Sequence, residues 1–135
     1  MAELFQFELV SPERQLLSKK VAEVTVPGSE GEFGVLKNHS PFMSTLKPGV
    51  LTVRLEDGSK LEYFVAGGFA DAAPTGLTVL AEEAVPFDDL TAEMLDEQIA
   101  AAEKIAGETN DDLIKQKAEE LASRLKVVQG TLKAA

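Results

Sequence analysis

The residues able to do chemistry are few, and they are scattered. His39, within Lys37-Asn38-His39-Ser40-Pro41-Phe42, is the single histidine and the only side chain suited to act as a base near neutral pH. Nothing near it in sequence completes a nucleophile–base set, and no Gly-x-Ser-x-Gly elbow occurs, so a turn or interface histidine fits it better than a catalytic one. With no cysteine the chain has no thiolate ligand, disulfide or cysteine nucleophile, and one histidine excludes a multi-histidine metal site within one chain. Gly28-Ser29-Glu30-Gly31-Glu32-Phe33-Gly34 has the glycine density of a phosphate loop but lacks the Gly-Lys-Ser/Thr ending, and its two glutamates repel phosphate. It reads as an exposed acidic tip between strands, a place for recognition rather than turnover. Glu82-Glu83 and Asp88-Asp89 are adjacent pairs, and adjacent acids rarely converge on one cation. The expectation is no catalytic residue, no metal and no cofactor.

Two kinds of element carry these residues. Residues 1–87 alternate with period two: Phe5, Phe7, Leu9; Ala22, Val24, Val26; Leu51, Val53, Leu55; Leu61, Tyr63, Val65. That period puts one face in a core and the other in water. Leu77-Thr78-Val79-Leu80 is a shorter, more apolar run. Asp57-Gly58 is a hairpin signal, and Pro27-Gly28, Pro48-Gly49, Gly67-Gly68 and Pro74-Thr75-Gly76 punctuate the rest as turns. Many short strands with regular turns point to a β-sandwich or barrel.

After Phe87 the period becomes helical. Leu90-Thr91 reads as N′ and N-cap, with Leu90 stapling onto Leu95. The first stripe is Leu95, Ile99, Ala102, Ala106, with Gly107 expected to end the helix. Asn110 is the expected cap of a second helix with the stripe Ile114, Ala118, Leu121, Leu125, Val128, Leu132. The two stripes predict an antiparallel hairpin over residues 88–135.

Net charge is −10 in 135 residues, so phosphates would repel the chain as a whole, and neither nucleic acid nor anionic lipid is an expected partner. No run approaches the roughly 20 apolar residues of a membrane span, and the start lacks the basic and apolar regions of a signal peptide, so a soluble, cytoplasmic protein is expected. Within the tail, residues 88–112 hold nine acids against Lys104, whereas residues 113–135 hold Lys115, Lys117, Arg124, Lys126 and Lys133 against Glu119 and Glu120. Two readings stand: the helices attract one another, or the basic second helix docks on an acidic partner.

The block from Pro27 through Gly28-Ser29-Glu30-Gly31-Glu32-Phe33-Gly34-Val35-Leu36-Lys37-Asn38-His39-Ser40-Pro41-Phe42, continued at Leu46-Lys47-Pro48-Gly49, closely resembles the epsilon subunit family of the bacterial F-type ATP synthase, whose mitochondrial counterpart is called delta. Phe64-Val65-Ala66-Gly67-Gly68-Phe69 resembles the family's glycine-pair strand, and Leu77-Thr78-Val79-Leu80-Ala81 its last strand. The resemblance covers essentially the whole chain. It implies a ten-stranded β-sandwich over residues 1–87 that binds the gamma subunit and the c-ring, followed by a regulatory two-helix hairpin over residues 88–135.

It implies no enzyme, but a non-catalytic rotor subunit of the proton-translocating synthase, peripheral on the cytoplasmic face of the bacterial inner membrane without direct membrane insertion. By the same resemblance Glu30, Gly31 and Glu32 are c-ring contacts, and Ser11, His39 and Ser44 lie on the gamma-facing side. Lys115, Lys117, Arg124 and Lys126 are candidate contacts to an acidic segment of the beta subunit, in the alpha/beta head, when the tail extends and inhibits hydrolysis. Members that bind ATP carry Ile/Leu-Asp-x-x-Arg-Ala on the first helix; here Leu95-Asp96-Glu97-Gln98-Ile99-Ala100 has Ile99 where the arginine would stand. An isoleucine cannot pair with phosphate, so no nucleotide site is expected. Two rivals from other classes are a free-standing β-sandwich adaptor whose hairpin binds a partner helix, and a small hydrolase using His39.

Overall fold

The computed structural model describes residues 3–38 and 40–134, in two compact units, Met1–Asp89 and Leu90–Ala135. The first unit is built of β1 (Phe5–Val10), β2 (Gln15–Val21), β3 (Glu23–Gly28), β4 (Gly31–Val35), β5 (Phe42–Thr45), β6 (Gly49–Arg54), β7 (Lys60–Ala73) and β8 (Gly76–Pro86), closed by a 3-10 turn at Phe87–Asp89. Their ladder runs β2-β1-β8-β7-β6-β3-β4, with β5 also on β7. All neighbours are antiparallel except β1 and β8.

The expected alternation is what makes the core. Phe7, Leu9, Val24, Val26, Leu51, Val53 and Val65 are fully buried in one cluster with Phe5, Leu77 and Val79, and Leu55 and Leu61 pack on its edge. The β-sandwich class holds, with eight strands instead of the expected ten. The difference lies in β7 and β8, which are 14 and 11 residues long and stay paired in one register from Tyr63↔Pro86 to Ala73↔Gly76. Counted as halves, these two strands restore ten. The first half of β7 pairs with β6 and the second half with β5, while the first half of β8 pairs with β1, so one bent ribbon serves both layers.

The bend sits at Gly67 and Gly68, φ 70° and 92°. The local pattern reads these as a turn and the family resemblance as part of a strand; the strand continues through them. A Cβ on Gly68 would lie 1.9 Å from the Leu80 carbonyl oxygen, so only a residue without one allows the two strands to approach there. Asp57-Gly58 does make the β6–β7 hairpin: Gly58 has φ 87° and donates to the Leu55 carbonyl at 3.0 Å. The Asp57 carboxylate accepts from the Ser59 amide at 2.9 Å and hydroxyl at 2.5 Å.

The second unit is α1 (Ala92–Glu108) and α2 (Asp112–Ala134). Thr91 caps α1, accepting from the Met94 amide at 3.2 Å, and Leu90 and Leu95 are both buried. Gly107 does not end α1: the helix runs one residue further, to a C-cap at Thr109 in extended backbone. Asn110 is not the second cap. The Asp111 carboxylate accepts from the amides of Leu113 at 2.9 Å and Ile114 at 3.1 Å, and an anion suits a helix N-terminus better than a neutral amide.

The α1 stripe Leu95, Ile99, Ala102, Ala106 is buried throughout, as expected. The α2 stripe is shifted and shorter. Ala118, Ala122, Leu125 and Val128 are buried, whereas Ile114 and Leu121 are exposed. A straight α-helix drifts against a 3.5-residue seam, so the contact face moves to Ala122 where a strict four-three count selects Leu121.

Candidate functional site

The acidic tip is a tight hairpin. Gly28 ends β3, Ser29 and Glu30 form the turn, and β4 begins at Gly31 with Gly28↔Gly31 and Pro27↔Glu32 as partners. Glu32 is therefore a strand residue, not a loop residue, and it projects from an edge strand, as the order of the sheet shows. Glu30 and Glu32 are exposed.

The turn is tied to β5. The Ser29 amide donates to the Thr45 carbonyl at 2.9 Å, and the Thr45 hydroxyl donates to Ser29 Oγ at 2.7 Å. This stitching forms an open depression of about 410 Å³ lined by Glu30, Gly31, Glu32, Phe33, Phe42, Met43 and Ser44. The Phe33 and Phe42 rings meet edge to face, 4.9 Å between centroids. Met43 is 64% exposed. An acidic lip over an aromatic and thioether floor suits a polar or basic loop that brings apolar stems with it.

The expected gamma-facing residues separate. His39 lies outside the described residues. Ser44 lines the depression just described, its hydroxyl donating to the Thr45 carbonyl at 3.0 Å. Ser11 sits in the turn between β1 and β2, where its amide and hydroxyl both donate to the Arg14 carbonyl, at 2.9 and 3.2 Å.

Residue pairing connects Ser11 to Ser44 along a path that sequence reasoning missed. Val10 pairs with Leu80, Leu80 with Phe69, and Phe69 with Thr45. The buried neighbours Leu9, Val79, Ala81 and Ala70 send these side chains to the outer face, where Leu80 is 39% exposed. Val10, Ser11, Pro12, Phe69 and Leu80 line a largely apolar depression of about 360 Å³ that also takes in Gly68, at the bend, and Glu82. One signal was available: Leu77-Thr78-Val79-Leu80 is too apolar for a strand with a solvated face.

In the helical unit the four cations do not form one cluster. Lys117 and Arg124, seven residues apart, share a stripe with Ile114 and Leu121, while Lys115 and Lys126, eleven apart, share another. Lys126 already pairs with Glu103 at 3.2 Å, both half exposed. Ile99 is 7% exposed in the seam. Asp96 accepts from the Gln129 amide at 2.5 Å.

Two side chains of the sandwich titrate away from their ordinary values. The Ser59 hydroxyl and amide hold Asp57 below the usual carboxylate range, and burial pushes the Tyr63 phenol up. Among the described residues no group of three or more His, Cys, Asp or Glu side chains is placed to hold a metal ion. Among the described residues no helix is long and apolar enough to cross a membrane.

Residues 4–87 match the family described as ATP synthase, Delta/Epsilon chain, beta-sandwich domain. The chain is 46% identical over 132 residues to the ATP synthase epsilon chain of Mesorhizobium japonicum, covering 98% of both. It is 47% identical over 132 residues to that of Parvibaculum lavamentivorans, covering 98% of this chain and 100% of that one. Among solved structures, a chain of the Euglena gracilis mitochondrial ATP synthase, in an OSCP/F1/c-ring assembly, superposes with TM-score 0.77 at 27% identity. That match covers 96% of this chain and 81% of the other.

Proposed function

Because the chain belongs to the ATP synthase delta/epsilon chain family, we propose a division of labour between its two units within that complex. It is a non-catalytic central-stalk subunit of an F-type ATP synthase. The observation that carries this is likeness over 132 residues, which takes in the helices as well as the sandwich.

In our reading the acid-lipped depression at Glu30, Gly31 and Glu32 seats the c-ring loops. Carboxylates at an exposed rim steer and orient a polar or basic partner, while Phe42 and Met43 supply the apolar contact. The outer row from Ser11 through Val10, Leu80 and Phe69 to Ser44 seats the gamma subunit, with His39 assigned to that side by its sequence position alone. The stripe of Lys117 and Arg124 with Ile114 and Leu121 is the face of the helical unit offered to the beta subunit of the alpha/beta head, and Lys115 and Lys126 form a second row on the other side of the buried seam. The proposed location is the cytoplasmic face of the bacterial plasma membrane, with the chain held there by its partners.

The test uses a catalytic head stripped of this subunit. Hydrolysis and gamma-dependent binding are measured after adding back the 135-residue chain or a version ending at Asp89. Both versions are expected to bind, and only the longer one to slow hydrolysis. Equal rates would remove the regulatory role of the helices, and failure of both to bind would remove the gamma seat.

A further inference from the structure

The seam between α1 and α2 is a poor judge of its own alignment. α1 contributes Leu95, Ile99, Ala102 and Ala106, and α2 contributes Ala118, Ala122, Leu125 and Val128, so half of the buried positions are alanines. Sliding α2 by one turn moves Leu125 and Val128 toward the alanine positions, and alanines present shallow holes that discriminate only weakly between such alignments. Apolar contacts of this kind hold two helices together without selecting one register.

One polar contact does discriminate. Gln129, half-buried at the edge of the seam, reaches from α2 to α1 with its side-chain amide. It donates to the Asp96 carboxylate at 2.5 Å and is 3.4 Å from the Ala92 carbonyl, one turn earlier. Shifting α2 by a turn in either direction would carry the amide about 5.4 Å along the helix and leave the carboxylate without it. The other cross-helix pair, Lys126–Glu103, is half exposed on both sides, and a long flexible ammonium can follow a carboxylate through such a shift.

We propose that Asp96 and Gln129 form a register pin, which selects one alignment of the hairpin and fastens the last turns of α2 to the first turn of α1. The pin is a property of the helical unit alone and holds whatever partner that unit meets.

The chain has no cysteine, so cysteines placed at the exposed positions Ala100 and Ser123 can carry a pair of spin labels without competition. Pulsed EPR distances and amide exchange are then compared for the parent chain, Asp96→Ala, Gln129→Ala, the double variant and Asp96→Asn. The parent should give one distance. Each alanine variant should add a second population displaced by about one turn and speed exchange in residues 125–131 roughly tenfold. The double variant should do no more than either single one, and Asp96→Asn, which keeps a carbonyl acceptor, should recover most of the parent behaviour.

Alanine is a strong helix former, Asp96 is exposed and Gln129 is only half-buried, so loss of helix is not the expected route to these effects. A single unchanged distance in both alanine variants would overturn the proposal. So would effects that multiply in the double variant, because the two side chains would then act independently.

Discussion

Gly68→Ala tests the bend on which the proposed gamma seat rests. Two costs add. At φ 92° an alanine sits in the left-handed half of backbone space, worth about 1–2 kcal/mol. Its Cβ would also meet the Leu80 carbonyl oxygen at 1.9 Å, where real contacts stop near 3.0 Å, so β7 and β8 must part by about an ångström at the Gly68↔Ala81 pair. The Gly68 carbonyl also accepts from the Leu46 amide at 3.0 Å, so this movement strains a second junction. Overpacking against backbone costs about 1–3 kcal/mol. The sum is about 2–5 kcal/mol, a large share of the roughly 5–15 kcal/mol that stabilises a domain.

Gly58→Ala is the internal control. Its φ is 87° but nothing lies within 4 Å of the added carbon, so only the backbone cost of about 1–2 kcal/mol applies. Tyr63 in β7 is the single tyrosine and the chain has no tryptophan, so tyrosine fluorescence during urea unfolding reports on the sandwich and not on the helices. At about 1–3 kcal/mol per molar urea, Gly68→Ala should lower the midpoint by roughly 2 M, and Gly58→Ala by less than half as much. Equal shifts, or a Gly68→Ala midpoint indistinguishable from the parent, would refute the close-approach argument.

Leu80→Glu places a charge in the middle of the outer apolar row and should weaken gamma binding at least tenfold in a pull-down titration, with the urea midpoint of the sandwich little changed. Leu125→Ala removes a fully buried side chain from the thin seam and should cost about 2–5 kcal/mol, melting the helices by circular dichroism while Tyr63 fluorescence still reports a folded sandwich. Ile99→Arg restores the arginine of the nucleotide motif at a position 7% exposed; it should destabilise the hairpin, and calorimetry with ATP should show no binding. The Tyr63 phenol is raised above 10.0, so its contribution to stability is complete below pH 10 and declines as pH rises toward the folded value. Tyr63→Phe should flatten that alkaline decline. Asp57 is lowered from 3.8, so its contribution is present above that pH and lost below it, and Asp57→Asn should reduce the acid sensitivity of the sandwich.

Much of this was legible in the residues because period two and burial are the same fact seen twice. Phe5-Phe7-Leu9, Val24-Val26 and Leu51-Val53 alternate in the chain and line one core in the fold. Asp57-Gly58 and Thr91 were equally plain, since each makes a local hydrogen bond that needs no distant partner. The failures share the opposite property. Gly67-Gly68 reads as a turn locally, and only the close passage of Leu80 makes it a bend within one long strand. Leu121 and Ala122 are adjacent on the helix, and the surface of α1 decides which is covered. The acidic tip was legible as chemistry. The aromatic floor beneath it was not, because Phe33 and Phe42 come together only when the Ser29 turn is stitched to β5.

That stitching bears on how a rotor piece can carry load. In our reading the c-ring depression and the gamma row are two faces of one short ladder: Ser44 lines the first, and Thr45, the next residue on the same strand, pairs with Phe69 in the second. A force applied at Glu32 then passes through the β3–β4 hairpin and the two Ser29–Thr45 hydrogen bonds into β5, and from there through the ladder of β7 and β8 to Leu80. The helical unit is built the other way. Among the described residues of α2, Leu125 and Val128 are the large buried side chains facing α1, backed by two alanines and one polar pin. Burying Leu95, Ile99, Leu125 and Val128 at about 1.5–3 kcal/mol each contributes roughly 6–12 kcal/mol before the entropy of ordering the helices is subtracted, which leaves a margin that a competing surface can match. A stiff ladder suits the part that must not slip. A thin seam suits the part whose proposed task requires it to let go.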